Sequence, residues 1–183
     1  MIRPTIFRRA AWLVCLTAVG IGGSIIPIRQ AIASTCSAQV DRLAPKFGVP
    51  VLIANAVMVA ESGSHGPLTL NIAGEARYPV TDLEAEAAIN VAVRSGKNVD
   101  IGCMQVSSKH NGKRVTVLAS LLDPMVNVQT GLTILLELRK HYGNWRQAVG
   151  AYHNAGDAGK NLKYRCTVAH IIDPTFWSPA CLA

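Results

Sequence analysis

The sequence predicts a mainly α-helical domain that follows a short N-terminal targeting segment. Apolar residues recur at spacings of three and four along several segments, which is the period of an α-helix. Residues typical of helix N-caps stand directly before some of these segments. Half of the 183 residues are hydrophobic and only 16% are charged. This composition excludes a disordered chain, because such chains are poorer in apolar residues.

The first 33 residues have the three parts of a secretory signal peptide. A basic start precedes an uncharged apolar run from Ala10 to Ile28, and Ala31-Ile32-Ala33 supplies the small residues of a cleavage site. An uncleaved membrane anchor is the alternative, since this run is just long enough to span a bilayer. Glycines and a proline within the run favour cleavage. We therefore expect residues 1–33 to be a leader and residues 34–183 to form one exported domain.

Most of the positive charge of the chain belongs to the leader. The chain has 18 Lys or Arg and 11 Asp or Glu, a net charge of +7, and four of the arginines lie in the leader. The mature part therefore carries a net charge of only +3. We expect no nucleic-acid partner, because no strongly basic surface remains.

Four cysteines remain after the leader: Cys36, Cys103, Cys166 and Cys181. An even number in an exported chain indicates disulfides, and four cysteines allow three connectivities. A bridge from Cys36 to either of the last two would tie the ends of the chain together. Buried thiols are a less favoured alternative. A metal site is less favoured still, because no C-x-x-C spacing is present.

The mature chain has predictable elements along most of its length. In order, they are a short helix at 36–47, a buried helix at 51–60, a loop with a hairpin at 71–74, a helix from 81 to about 96, a helical turn at 118–122, a long helix at 124–142, a helix at 145–152 and one short helix in the tail from 160. The stretch between the third helix and the helical turn shows no clear period.

Several helix boundaries carry their own residue signals. Pro50 suits the first turn of a helix, and Thr81 with Glu84 forms a capping box. Asp123 precedes the long helix, in which apolar residues recur every three or four positions. Gly143 then ends that helix.

Glu61 has the clearest chemical signal in the sequence. It closes a run of almost entirely apolar residues at the end of the second helix. Low-dielectric surroundings and the C-terminal end of a helix both favour the neutral form of a carboxyl. A carboxyl that keeps its proton near neutral pH is suited to general acid catalysis. An exposed glutamate at a helix end is the alternative, and it is the commoner case when this residue is considered alone.

Two other segments combine residue types that suit a polar ligand. Residues 102–106 hold Gln105, whose amide both donates and accepts hydrogen bonds, beside the adaptable side chain of Met104. Residues 151–156 place a phenol, an imidazole and an amide at the end of a helix. The first segment alone is more often a packed turn than a site, and the second alone is also explained by an aromatic core residue followed by a helix cap.

Taken in order, these segments resemble the soluble lytic transglycosylase family. Glu-Ser at 61–62, Gly-x-Met-Gln at 102–105, the element at 127–131 and the Ala-Tyr segment at 151–156 follow the order of that family's motifs. The resemblance covers about residues 36–156 and implies a goose-lysozyme-like α-helical fold with a loop or hairpin insertion. The segment between the first two motifs is similar to that of the small transglycosylases associated with type IV secretion and conjugation systems.

The resemblance implies a role for each matching residue. Glu61 would be the catalytic acid, and Ser62 would be its neighbour in the sugar cleft. Met104 and Gln105 would line the cleft, and Tyr152 would hydrogen-bond to the catalytic glutamate.

Two positions depart from the pattern of the family. His153 stands where the family has asparagine, unless one residue is inserted before Asn154, so either side chain would contact the sugar. Cys103 replaces a leucine. Neither change removes the acid.

The reaction that the resemblance implies needs only one carboxyl. It cleaves the β-1,4 bond between N-acetylmuramic acid and N-acetylglucosamine in peptidoglycan and forms 1,6-anhydromuramic acid, using the sugar's own 6-hydroxyl. Such intramolecular attack benefits from a high effective concentration. The resemblance implies no metal or organic cofactor, peptidoglycan strands as substrate, a monomer in the periplasm and a secretion or conjugation machine as a partner.

Two alternatives to this function remain open in the sequence. A lysozyme-type hydrolase would need a second carboxyl, and Asp100 and Glu75 are the candidates, although both are interpreted as surface acids. A non-catalytic wall-binding module of a secretion complex is the other alternative. Glu61 argues against it, since binding gains nothing from an acid at an apolar helix end.

Overall fold

The computed structural model describes residues 28–63, 65–175 and 178. The predicted leader lies outside the described residues except for 28–33, which form the start of the first helix. Cys181 also lies outside them. Among the described residues, no helix has both the length and the apolar character that crossing a membrane requires.

The structure confirms the predicted mainly α-helical class. The helices of the described part are α1 (Ile28–Phe47), α2 (Val51–Ser62), α3 (Asp82–Arg94), α4 (Ser108–Asn111), α5 (Pro124–Tyr142), α6 (Trp145–His153) and α7 (Ala158–Ile172), with 3-10 turns at Gly112–Arg114 and Leu118–Leu122. A small antiparallel sheet has the order β2-β1-β3-β4 and contains β1 (Leu70–Ile72), β2 (Glu75–Arg77), β3 (Val99–Ile101) and β4 (Val106–Ser107).

The predicted helix caps are present. The Thr81 hydroxyl accepts a hydrogen bond from the Glu84 amide at 3.2 Å, and the Glu84 carboxylate accepts one from the Val80 amide at 3.0 Å. Asp123 caps α5 by accepting from the next two free amides of that helix. Gly63 ends α2 in the left-handed conformation, with φ of 55°. Local sequence therefore fixes where α2 stops, which places Glu61 in its last turn.

Three parts of the fold differ from the prediction, and the first is that α1 begins at Ile28 rather than at residue 36. The stretch without a clear period contains β3 and β4, and α7 is a helix of 15 residues, longer than the short one expected. The two strands have only three and two residues, too few for alternation to be visible. The predicted hairpin is confirmed as β1 and β2, with positive φ at Ala73 and Gly74 in its turn.

The sheet places polar side chains on one face and apolar ones on the other. Asn71 pairs with Asp100, and Asp100 pairs with Ser107 in the next strand. Paired residues of neighbouring strands point to the same face. Leu70 and Ile101, on the opposite face, are completely buried.

The helices pack so that α2, α6 and α7 meet on one side of the core. α5 packs against α1 and α6, while α2 packs against α1 and α7. α6 also packs against α7. The end of α2 therefore lies close to α6 and α7, over a core that includes Val40, Val57, Leu132 and Leu135.

A disulfide joins α1 to the loop between β3 and β4. It links Cys36 to Cys103, 67 residues apart in sequence. Cys166 is also disulfide-bonded. Cys36 therefore does not tie the two ends of the chain together, which corrects that expectation. The bond instead anchors the turn that carries Gln105.

Candidate active site

A cleft of about 1190 Å³ lies between the helices and the sheet. Glu61 of α2 lines one wall with the end of α6 and the first half of α7. The opposite wall consists of the polar face of the sheet, with Asn71, Asp100 and Ser107. A saccharide can therefore lie between a helical wall that carries Glu61 and a row of hydrogen-bonding groups on the sheet.

Glu61 is a buried carboxyl at the edge of this cleft. Its side chain is only 12% exposed, and its Oε1 atom has no hydrogen-bond partner among the described residues. Burial raises the pKa of Glu61 to about 7, against an opposing effect of the Tyr164 hydroxyl and with a further increase from the charge of Asp100. The carboxyl therefore carries a proton through much of the neutral range, as a general acid must.

Tyr164 has the position beside Glu61 that we expected for Tyr152. The Tyr152 hydroxyl donates to the carbonyl of Met104 at 2.8 Å, and no hydrogen bond from it to Glu61 is present in the described part of the chain. The expectation that Tyr152 binds the acid is therefore wrong. Tyr164, from α7, is buried beside Glu61, and its hydroxyl opposes the rise in the pKa of that carboxyl although it makes no hydrogen bond within the described residues.

His153 lies against both Glu61 and Tyr164. Its Nδ1 atom is 4.0 Å from Glu61 Oε1, and its ring stacks on that of Tyr164 with centroids 4.7 Å apart and planes 3° from parallel. Burial lowers the pKa of His153, Asp100 raises it and Lys160 lowers it further. The imidazole is consequently neutral at neutral pH.

Asn154 also lines the cleft, but it has a capping role. Its Oδ1 atom accepts hydrogen bonds from the amides of Gly156 and Asp157, at 3.0 and 2.9 Å. The turn between α6 and α7 therefore depends on Asn154, whereas His153 is the residue that contacts the acid.

The turn at residues 102–105 is held by one buried amide. Asn127 donates from Nδ2 to the carbonyls of Ile101 and Leu121, at 2.7 and 2.8 Å. Its Oδ1 atom accepts from the amide of Met104 at 2.8 Å. The element at 127–131 thus supports the cleft from beneath, because it fixes the backbone that leads to Gln105.

Residues 81–169 match the sequence model of the Transglycosylase SLT domain family. This match covers just under half of the chain and supports the lytic transglycosylase family. Proteins with this domain are lytic transglycosylases that act on peptidoglycan, so the chain is an enzyme of this type with peptidoglycan as its substrate. No curated protein and no solved structure matches the chain.

The SLT match covers most of both cleft walls but leaves out Glu61 from one and Asn71 from the other. It includes the turn at 102–105, Asn127, His153 and Tyr164, but it begins after α2. Glu61 lies outside it, and its assignment as the acid rests on the geometry of the cleft.

Ser62 and Met104 are buried and do not form the surface of the SLT cleft, which corrects the expected positions of both. The Ser62 hydroxyl donates to the carbonyl of Met58 at 3.0 Å. Met104 packs against Gly131. A Cβ atom added at Gly131 would lie 2.7 Å from the Cβ atom of Met104. Both side chains stabilise the segments that carry the cleft residues.

Gln105 lines the cleft, but its amide is less available than the sequence suggested. Its Nε2 atom donates to the carbonyls of Thr69 and Gly102, at 3.0 and 2.8 Å. These bonds hold the residue in a left-handed conformation with φ of 45°. The amide oxygen is the part of Gln105 left to accept a hydrogen bond from substrate.

Asp100 and Glu75, the two candidates for a second carboxyl, have different positions. Glu75 is exposed on β2, pairs with Arg77 and lies outside the cleft. Asp100 is half-buried in the cleft and accepts a hydrogen bond from Asn98 at 2.8 Å. Burial raises its pKa, while the hydrogen bond from Asn98 and the nearby Ser107 hydroxyl oppose this. The interpretation of Asp100 as a plain surface acid is therefore wrong.

Sequence reasoning missed the polar row of the sheet and Tyr164. Asn71, Asn98 and Ser107 lie on segments that are too short to show a strand pattern. Tyr164 belongs to the tail, outside the motifs. Its spacing of four from the buried Val168 was the available signal that it faces inward.

We expect Gly102→Ala to destabilise the SLT domain by about 3 kcal/mol or more. An alanine Cβ would lie 2.3 Å from Asn127 Nδ2 and 2.7 Å from the carbonyl of Leu121, at a φ of 78°. Urea unfolding measures the loss. Gly143→Ala is the matched control, because Gly143 has nearly the same φ of 77° and open space around it, so it should cost only about 1 kcal/mol. Equal losses would contradict the proposed clash.

Proposed function

We propose that the protein cleaves the β-1,4 bond between N-acetylmuramic acid and N-acetylglucosamine in peptidoglycan and forms 1,6-anhydromuramic acid. The observation that carries the proposal is the buried Glu61 carboxyl, whose pKa burial raises to about 7, at the edge of a cleft that the residues of the SLT match complete. The polar row on the opposite wall offers hydrogen bonds to the hydroxyl and amide groups of the sugars.

In this reaction Glu61 acts first as an acid and then as a base. Its proton passes to the glycosidic oxygen, and the bond from that oxygen to the anomeric carbon of the muramic acid breaks. The 6-hydroxyl of the same sugar then attacks the anomeric carbon, and its proton returns to the Glu61 carboxylate. The second step is intramolecular, which can supply an effective concentration of ~10⁵ M or more. One carboxyl therefore completes the cycle unchanged.

We expect kcat/KM to fall as the pH rises through about 7, the pKa of Glu61 in the free enzyme. The acid must hold its proton before the reaction, so each further pH unit should cost about tenfold. The assay measures muropeptide release from soluble glycan strands across a pH series, with circular dichroism as the control for folding. A rate that stays level through the alkaline range would contradict the role of Glu61.

A lysozyme-type hydrolase is the second candidate, and the position of Asp100 in the cleft favours it. Asp100 would direct a water molecule at the anomeric carbon. Mass spectrometry of products from purified sacculi distinguishes the two activities. Anhydromuramic ends support the transglycosylase, and reducing muramic acid ends would support the hydrolase.

The setting of the reaction is also part of the proposal. We infer a periplasmic monomer that opens the wall locally for a secretion or conjugation apparatus. The signal-peptide pattern and the resemblance to the small transglycosylases of such systems support this. Cell fractionation tests the location. Deleting the gene should reduce transfer by the apparatus, and transfer at an unchanged rate would contradict the role.

A further inference from the structure

Two buried polar atoms in the cleft wall lack a hydrogen-bond partner within the described residues. They are Oε1 of Glu61 and the hydroxyl of Tyr164, and the nearby hydroxyl lowers the pKa of Glu61 against the effect of burial. A carboxyl that is screened from water favours its neutral form, so the side chains that screen Glu61 influence whether it holds a proton. The wall around them therefore has a function of its own.

His153 is the side chain that covers this pair on the cleft side. Its ring lies flat on Tyr164, its Nδ1 atom is 4.0 Å from Glu61 Oε1, and 47% of its side chain faces solvent. One face of the imidazole thus contacts the buried pair and the rest of the ring borders the cleft. Removing the ring would open a path for water to the carboxyl.

We propose that His153 is a positioning residue: stacked on Tyr164 as a neutral ring, it closes the solvent path to Glu61 and keeps the acid in its proton-bearing form. This inference rests on the proposed function of Glu61. It adds to that function by naming the side chain that excludes water from the Glu61 carboxyl.

The charges around the pair agree with a neutral ring. Asp100 faces Glu61 from β3 and favours the protonated carboxyl. Lys160 on α7 opposes protonation of His153, whereas Asp100 favours it, and burial is the largest influence and keeps the ring neutral. A cationic ring would have the opposite effect on Glu61, because a positive charge at this distance stabilises the carboxylate.

The tyrosines on either side do not titrate in the neutral range. Burial raises the pKa of both Tyr152 and Tyr164 well above the usual value, and the charge of Glu61 adds to each. Between them these groups come from α6, α7 and β3, the elements that face the carboxyl.

Two substitutions of His153 distinguish the effect of covering Glu61 with a ring from the effect of hydrogen bonding by the ring nitrogens. His153→Phe keeps a ring that can stack on Tyr164 but removes both ring nitrogens. His153→Asn keeps polar atoms but removes the ring. Titration of Glu61 by NMR, with ¹³C-labelled glutamate carboxyls and Glu61→Gln to assign the signal, measures the protonation of the acid directly in each variant.

We expect the asparagine variant to titrate about one pH unit lower than the wild-type protein, and the phenylalanine variant to stay within about 0.3 of it. The alkaline limb of the pH profile should move in parallel, a tenfold loss at alkaline pH for the asparagine variant. Lost sugar contacts would instead raise KM in both variants.

An unchanged pKa of Glu61 in the asparagine variant would overturn the inference. An equal fall in the pKa of Glu61 in the phenylalanine variant would overturn it too. Thermal melting confirms that each variant is folded. The outcome is independent of the reaction product: a titration as expected with reducing muramic acid as the product would contradict the proposed function and leave the role of His153 intact.

Discussion

Replacing Glu61 with glutamine is expected to reduce the release of anhydromuropeptides from sacculi by about a thousandfold or more. Glutamine has the shape of a protonated glutamate but no proton that it can transfer. The cleft and its hydrogen bonds should be unchanged, so substrate binding to the variant should persist. Chromatography of the released muropeptides, with mass spectrometry, gives the rate.

Glu75→Gln is the matched control for this loss. Glu75 is an exposed glutamate on β2, outside the cleft, so its replacement should leave the rate unchanged. An active Glu61→Gln enzyme would show that another residue supplies the proton.

The same Glu61 variant should be more stable than the wild-type protein at alkaline pH. Because burial raises the pKa of Glu61 from 4.5 to about 7, the neutral carboxyl stabilises the fold fully below pH 4.5, and this contribution is lost as the pH rises through 7. Glutamine keeps its neutral amide at every pH, so the gain above pH 7 is on the order of 3 kcal/mol. Urea unfolding at two pH values tests this and shows that the inactive variant is folded.

Removing the Cys36–Cys103 disulfide should lower the free energy of unfolding by about 4 kcal/mol. The bond closes a loop of 67 residues. Without it the unfolded chain gains conformational entropy, which lowers the free energy of unfolding. Both cysteines are buried, at 2% and 0% exposure, and alanine introduces no polar group in their place. Urea unfolding of the Cys36→Ala/Cys103→Ala variant measures the loss.

The two single variants provide the internal control. Either substitution breaks the cross-link, so Cys36→Ala and Cys103→Ala should each lose nearly as much as the double variant. Losses in the single variants that add up to the loss in the double variant would contradict the cross-link as the cause. Because Cys103 precedes Gln105 by two residues, activity should fall with the loss of this bond as well.

The helical part of the fold was predictable because its signals are local. The capping box at Thr81 and Glu84, and the glycines after α2 and α5, each act within one turn of the chain. Such signals need no knowledge of the tertiary structure. The position of Glu61 at the end of an apolar run is a local signal of the same kind, but its proposed role came from the order of the motifs along the chain.

The remaining features of the site depend on contacts between distant segments. Cys36 bonds to a cysteine 67 positions away, and the Tyr152 hydroxyl donates to the carbonyl of Met104, 48 positions away. Three-residue strands carry no periodic signal, so the row of polar side chains around Asp100 could not be predicted. Motif order could suggest that Ser62 lies near the sugar, but only packing shows that its side chain points into the core.

Digestion of sacculi in H₂¹⁸O tests most directly whether Glu61 works without a second carboxyl. We predict anhydromuramic products that contain no solvent oxygen, from both the wild-type enzyme and Asp100→Asn. Reducing muramic acid labelled with ¹⁸O, formed by the wild-type enzyme and lost in Asp100→Asn, would contradict the account and identify a hydrolase with two acids.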